Sequence, residues 1–149
     1  TILRRSLQEV RNFDYVFLDC PPSLGLLNQN AILYAKEAFI PVSTDYLGVD
    51  ALRKMLKEIL TINNIFEHDC EPRMIIPTMF NGVTNSGKAH LAIIKQEFST
   101  IPIADPIHMN SKLKDMATRG KSIGDFAKSS HGAEDYQKLV EKVSKQKGL

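Results

Sequence analysis

Tyr15-Val16-Phe17-Leu18-Asp19-Cys20-Pro21-Pro22-Ser23 decides how the rest of this chain is read. Four apolar or aromatic residues run straight into an Asp, and two prolines follow. Such a run has the composition of a strand buried on both faces, which points to a parallel sheet. Neither proline can donate to a ladder, so the predicted strand stops near Pro21. Asp19 is therefore expected at the carboxyl end of a buried strand, where open α/β sheets gather their ligands. An ionised carboxylate there is costly unless a cation or donors face it. Magnesium beside a nucleotide phosphate is one solution, and capping of the next helix is another.

Outward from that strand, elements alternate. Residues 2–11 place Ile2, Leu3, Ser6, Leu7 and Val10 on one helical face, with Asn12 as a stop. After the prolines, Leu24 to Lys36 reads as a helix. Ala38-Phe39-Ile40-Pro41-Val42 reads as a second strand, with Pro41 at an end or an unusual ladder position. Val49 to Asn63 carries an amphipathic stripe of Leu52, Met55, Leu56, Ile59 and Leu60. Met74 to Met79 is a third strand. Ser86 to Phe98 is a helix that buries Leu91, Ile94 and Phe98, and Ile101-Pro102-Ile103 is a short fourth strand. Asp105 to Ile123 is loop-rich with a short helix near 112–117. Gly132 to Lys147 closes as a helix with Tyr136, Leu139, Val140 and Val143 at i, i+3, i+4 and i+7. Strands alternating with long helices imply right-handed crossovers, so the expected class is α/β with a mostly parallel sheet and flanking helices.

A chain of 149 residues suits one domain, here 1–149, with no internal repeat or linker. Its 43% hydrophobic and 24% charged residues are ordinary for a soluble globular protein. No apolar run approaches the roughly 20 residues of a spanning helix, and the first residues lack a signal-peptide core. Cys20 and Cys70 stand alone, and His68, His90, His108 and His131 show no ligand spacing, which disfavours a disulfide or zinc framework. Residues 1–85 hold 8 Lys/Arg against 10 Asp/Glu, whereas residues 86–149 hold 11 against 7. That basic C-terminal bias permits nucleic-acid contact.

A nucleotide-hydrolysing P-loop needs a glycine-rich turn and a Lys to cradle phosphate. The nearest imitation is Asn85-Ser86-Gly87-Lys88. It lacks the first glycine, and Ala89 stands where Ser or Thr would hold magnesium.

Phe13-Asp14-Tyr15-Val16-Phe17-Leu18-Asp19-Cys20-Pro21-Pro22-Ser23-Leu24-Gly25 resembles the Walker B segment of the ParA family, the deviant-Walker ATPases that partition plasmids and chromosomes. The resemblance extends over nearly the whole chain. It matches only the C-terminal part of the family domain, because the family's phosphate loop precedes this strand. It implies the C-terminal part of a P-loop NTPase-like three-layer fold and an ATP hydrolase at family level. A piece without the Walker A loop is expected to be inactive alone, to self-associate or to be marginally stable.

The cofactors implied are ATP and Mg2+, with Asp19 on the metal through water. Ala38 to Gly48 resembles a second family signature, in which Asp45 either orders the interface or nucleotide side or, with Asp50, favours a helix N-terminus. Ile76-Pro77-Thr78-Met79-Phe80-Asn81 resembles the strand end beside the adenine ring. Pro21, Thr78, Met79, Phe80, Pro106 and His108 are thus the implied nucleotide contacts, against the alternative that Met79 and Phe80 plug the sheet end. Val83-Thr84 replaces a common Arg-Thr pair, and Met109 stands where relatives carry an Arg.

The resemblance also implies a homodimer with ATP, non-specific DNA binding, a ParB-like partner and a cytoplasmic, nucleoid-associated location. Lys112, Lys114, Arg119 and Lys121 are the DNA candidates, joined by Lys138, Lys142, Lys145 and Lys147. A solvated lysine-bearing surface is the alternative for this cluster. The membrane-binding MinD branch is disfavoured because residues 144–149 carry one bulky apolar side chain. A non-enzymatic module that pairs with other chains or DNA is the contrasting reading.

Overall fold

The computed structural model of the chain describes residues 2–21 and 25–147, with backbone only at 146 and 147. The order of elements is α1 (Ile2–Ser6), α2 (Leu26–Ile32), β1 (Glu37–Ser43), α3 (Tyr46–Phe66), β2 (Glu71–Thr78), α4 (Asn85–Glu97), α5 (Ser111–Thr118), α6 (Ile123–Phe126) and α7 (His131–Lys147). The chain is α/β, with a parallel sheet and flanking helices.

β1 and β2 pair in parallel from Glu37↔Glu71 to Ser43↔Thr78. Arg73 is the extra residue where the register shifts between Ala38 and Phe39. The crossover between the strands is α3, long enough to return the chain to the same end of the sheet. Beyond β2, residues 102–109 follow its second edge in a broken ladder. Ile75 donates to the Pro102 carbonyl (2.9 Å), Ala104 to Ile75 (2.8 Å), Ile107 to Pro77 (2.8 Å) and Phe80 to Ile107 (3.0 Å). The predicted strand at 101–103 is thus reduced to a single bridge, Ile75↔Ile103. Pro77, Pro102 and Pro106 have no N–H to give, so no continuous ladder forms there.

α3 covers one face of the sheet. Its Val49, Leu52, Ile59 and Ile62 pack with Ile40, Val42 and Ile75, and Ile94 and Phe98 of the α4 segment close the same core. Met74 and Ile75 are both fully buried, and adjacent strand residues point to opposite faces. β2 is therefore covered on both sides, as a parallel strand should be. The predicted stripe holds except at Leu60, which is exposed.

α3 starts sharply at both levels of local structure. Asp45 is its N-cap, and its carboxylate accepts the Gly48 N–H at 2.8 Å. Gly48 is required by close approach, since a Cβ there would overlap the Ser43 carbonyl. At the far end, Glu67 takes a left-handed conformation (φ 50°) and stops the helix. Asn63 then brackets Cys70 with two 3.0 Å hydrogen bonds and sets the chain into β2.

Two expectations are corrected. Tyr15 to Leu18 is not a strand: the segment is irregular and pairs with no strand among the described residues. Phe17 is 83% exposed, and Tyr15 and Val16 are exposed as well. An apolar run becomes a strand only when a neighbouring strand takes up its backbone N–H and C=O groups, and no strand among the described residues pairs with this one. Asp19 accordingly follows an irregular segment rather than a strand. The first helix is also shorter than 2–11 and ends in a turn before Asn12, whose φ of 70° marks the stop. Pro22, Ser23 and Leu24 of the opening motif lie outside the described residues.

Candidate functional site

The carboxyl ends of β1 and β2 open on the same side, as parallel pairing requires. β1 leads through Ser43 and Thr44 to Asp45, and β2 leads through Thr78 to Met79, Phe80 and Asn81. Buried Thr44 prolongs the ladder by one step, donating its N–H to the Thr78 carbonyl at 3.1 Å. Met79 then adopts a left-handed φ of 52° and is exposed. For a non-glycine residue that conformation is uncommon, and it turns the chain out of the sheet.

Phe80 bends back toward the 105–109 segment. Its carbonyl accepts the Met109 N–H at 2.9 Å, and its ring meets the His108 imidazole edge-on, with centroids 5.2 Å apart and planes at 63°. The His108 N–H and Nδ1 both lie 2.9 Å from Oδ2 of Asp135, in the first turns of α7. That carboxylate is only 11% exposed, whereas the imidazole is 49% exposed. Lys142, two turns further along α7, donates to the Ile103 carbonyl at 2.7 Å. The 102–109 segment is thus clamped between β2 on one side and α7 on the other.

Of the residues expected at a nucleotide, Thr78, Met79, Phe80, Pro106 and His108 are therefore brought to one end of the sheet. Asp19 and Pro21 lie on a different segment. The Pro21 carbonyl accepts from Nδ2 of buried Asn28 at 2.9 Å, which ties it to α2, and Asp19 is exposed. Among the described residues no group of three His, Cys, Asp or Glu side chains is placed to hold a metal. A lone carboxylate does fit magnesium, which keeps several waters and takes its other oxygens from phosphates. The Cys20 thiol is pushed up by partial burial and then by the charge of Asp19, so it stays protonated rather than reactive.

Asp45 is taken by its cap. The Gly48 N–H and then the Ser43 hydroxyl hold its carboxyl below the usual range. The same is true of the Gly-Lys imitation: Thr84 caps α4 and accepts the Gly87 N–H at 3.2 Å. A Cβ on Gly87 would stand 2.6 Å from the Asn81 carbonyl, so close packing explains this glycine. Asp50 pairs with Lys54 at 2.7 Å on the helix surface.

Lys112, Lys114, Arg119 and Lys121 are all exposed on α5 and the turn after it. The Arg119 guanidinium stacks 5.6 Å from the Phe126 ring centroid, which fixes α5 against the short α6 that the sequence reading did not resolve. Lys138 and Lys145 are exposed, whereas Lys142 is committed to Ile103. The side chain of Lys147 lies outside the described residues.

Asp135 is the residue that sequence reasoning missed. The expected stripe of α7 included Tyr136 and Val140, both exposed here. The covered face runs instead through Ala133, Asp135, Leu139, Lys142 and Val143. An acid spaced i, i+4 from Leu139 was the available signal.

An AAA domain family model matches residues 1–72. The sporulation initiation inhibitor protein Soj of Bacillus subtilis is 32% identical over 143 residues, 95% of this chain and 56% of the relative. The chromosome-partitioning ATPase Soj of Treponema pallidum is 27% identical over 142 residues, 95% of this chain and 56% of the relative. The chain therefore spans about half the length of these curated relatives. The fold is also that of cobyrinic acid a,c-diamide synthase from Mycobacterium smegmatis, solved with ADP and magnesium. That structure gives a TM-score of 0.73 at 22% identity, covering 99% of this chain and 54% of the other.

Proposed function

We propose that the chain, over the part of the domain it spans, serves a partition ATPase of the ParA family. The observation that carries the reading is the 32% identity to Soj over 95% of this chain. The convergence of Thr78, Met79, Phe80, Pro106 and His108 at the carboxyl end of β2 supports it, because that is where open parallel sheets bind nucleotides. In this reading the base would lie against these residues, Asp19 would hold magnesium through water, and Pro21 would line the nucleotide. The metal would supply charge neutralisation at the phosphates. This chain's residues would orient the base and the metal, and a phosphate-cradling loop, which residues 1–149 do not contain, would complete the site.

Nucleotide-dependent dimerisation, a ParB-like stimulating partner and a nucleoid location belong to the same proposal. Duplex DNA would be met by Lys112, Lys114, Arg119 and Lys121, through phosphates and without sequence preference. Among the described residues no helix is long and apolar enough to cross a membrane.

The test is hydrolysis by the full-length protein with Mg2+, ATP and duplex DNA. Asp19→Ala is expected to lower turnover at least about tenfold, the scale set by loss of a charge-positioning group. Lys112→Glu with Lys114→Glu is expected to lower DNA affinity and flatten its dependence on salt. A full-length protein that neither binds nor hydrolyses ATP would overturn the reading.

A further inference from the structure

Resting on the assignment of Asp19 to magnesium, we infer that Asn28 is a positioning residue, which aims the Asp19 segment by holding the Pro21 carbonyl. Asp19 is exposed, so its direction is set by the backbone that carries it. The run that leads into it has no strand beside it among the described residues. The fastening that the structure does show is on the other side. Asn28 is only 3% exposed, and its Nδ2 donates to the Pro21 carbonyl at 2.9 Å. Asn28 is the third residue of α2, where a side chain ordinarily turns back to its own helix cap. Here it reaches past the Gly25 cap to Pro21 instead.

The link from that anchor to Asp19 is short and stiff. The Pro21 ring fixes its φ near about −65°. Cys20, which precedes a proline, is confined to extended backbone. The Cys20 thiol also donates to the Leu18 carbonyl at 3.5 Å, bridging across Asp19. Holding the Pro21 carbonyl therefore fixes the direction from which the chain presents the Asp19 carboxylate. The other end of the anchor is firm as well. α2 buries Ala31 and Ile32, and the Gln29 amide donates to the Glu58 carboxylate of α3 at 2.8 Å. Asn28 thus ties a loosely neighboured segment to an element that is itself pinned to the core.

The test uses the full-length protein. Without nucleotide or metal, amide relaxation NMR should find Cys20 ordered, with an order parameter near about 0.85, and below about 0.6 in Asn28→Leu. Leu is close to Asn in shape but cannot donate. Mn2+ titration of the ADP complex, followed by electron paramagnetic resonance, should show about fivefold weaker metal binding in that variant, the scale of one neutral hydrogen bond. Asn28→Gln keeps the amide donor and should restore most of both readouts. Gln29→Ala frees α2 from Glu58 without touching Pro21, so it should lower the melting temperature and leave metal affinity at its natural value. Natural order and natural metal affinity in Asn28→Leu overturn the inference, as does an equal weakening in Gln29→Ala. A disordered Cys20 amide in the natural protein overturns it even if Asn28→Leu folds poorly. If Asp19→Ala leaves metal affinity unchanged, the magnesium assignment fails and the inference with it. If Asp19→Ala weakens metal binding and Asn28→Leu does not, the inference alone fails.

Discussion

β2 and the segment from Tyr15 to Leu18 have similar apolar runs and opposite fates. Met74 and Ile75 are fully buried, whereas Phe17 is 83% exposed. The difference is hydrogen-bonding company. β2 has β1 on one edge and residues 102–109 on the other, while the earlier run pairs with no strand among the described residues. Composition states what a segment can bury, and neighbours decide whether it does. The residues at the end of β2 are held by a ladder, whereas those that lead into Asp19 have no strand beside them among the described residues.

The largest effect expected from this contrast is at Ile75. Truncation to Ala removes a fully buried side chain between α3 and α4, and should cost about 2–5 kcal/mol in urea unfolding. A cost below about 1 kcal/mol would mean that the β2 core is no better packed than the 15–18 segment.

What was legible in the sequence follows the same division. β1, α3, β2 and α4 were predicted to within a few residues, because each is bounded by strong local chemistry such as the Asp45 cap and the Thr84 cap. The placement of the candidate site's residues was legible where they lie at a strand end, at Thr78, Met79 and Phe80. It was not legible where it depends on tertiary meeting. No local pattern links His108 to Asp135, and rotating the α7 stripe by one residue was enough to hide the acid. The 15–18 strand failed for the converse reason, as a local signal with no strand beside it among the described residues.

Asp45 gives an effect of intermediate size, on the side of the molecule that is locally determined. Asp45→Ala removes the N-cap of α3 and should cost about 1 kcal/mol. Because the folded carboxyl is held below its ordinary value, its contribution is complete above the unfolded value of about 3.9 and is lost as pH falls through the lower folded one. Asp45→Asn retains an accepting oxygen and should keep most of the stability near neutral pH, with a shallower loss in acid. An acid limb identical to that of the natural chain would show that the cap carries no linked proton.

The smallest effect belongs to Phe17, and it bears most directly on the comparison. A large aromatic in a strand core costs about 3–5 kcal/mol when truncated. Phe17 makes a tilted ring contact with Tyr15 at 6.3 Å and is otherwise open to solvent, so Phe17→Ser should stay within about 0.5 kcal/mol. The same substitution in the full-length protein separates two states of this segment. If it remains near neutral there, the run is an exposed approach to Asp19 in the whole molecule too. If it costs several kcal/mol, the segment has gained strand neighbours from outside residues 1–149. Asp19 is then held at a strand end as rigidly as Thr78 is at the end of β2.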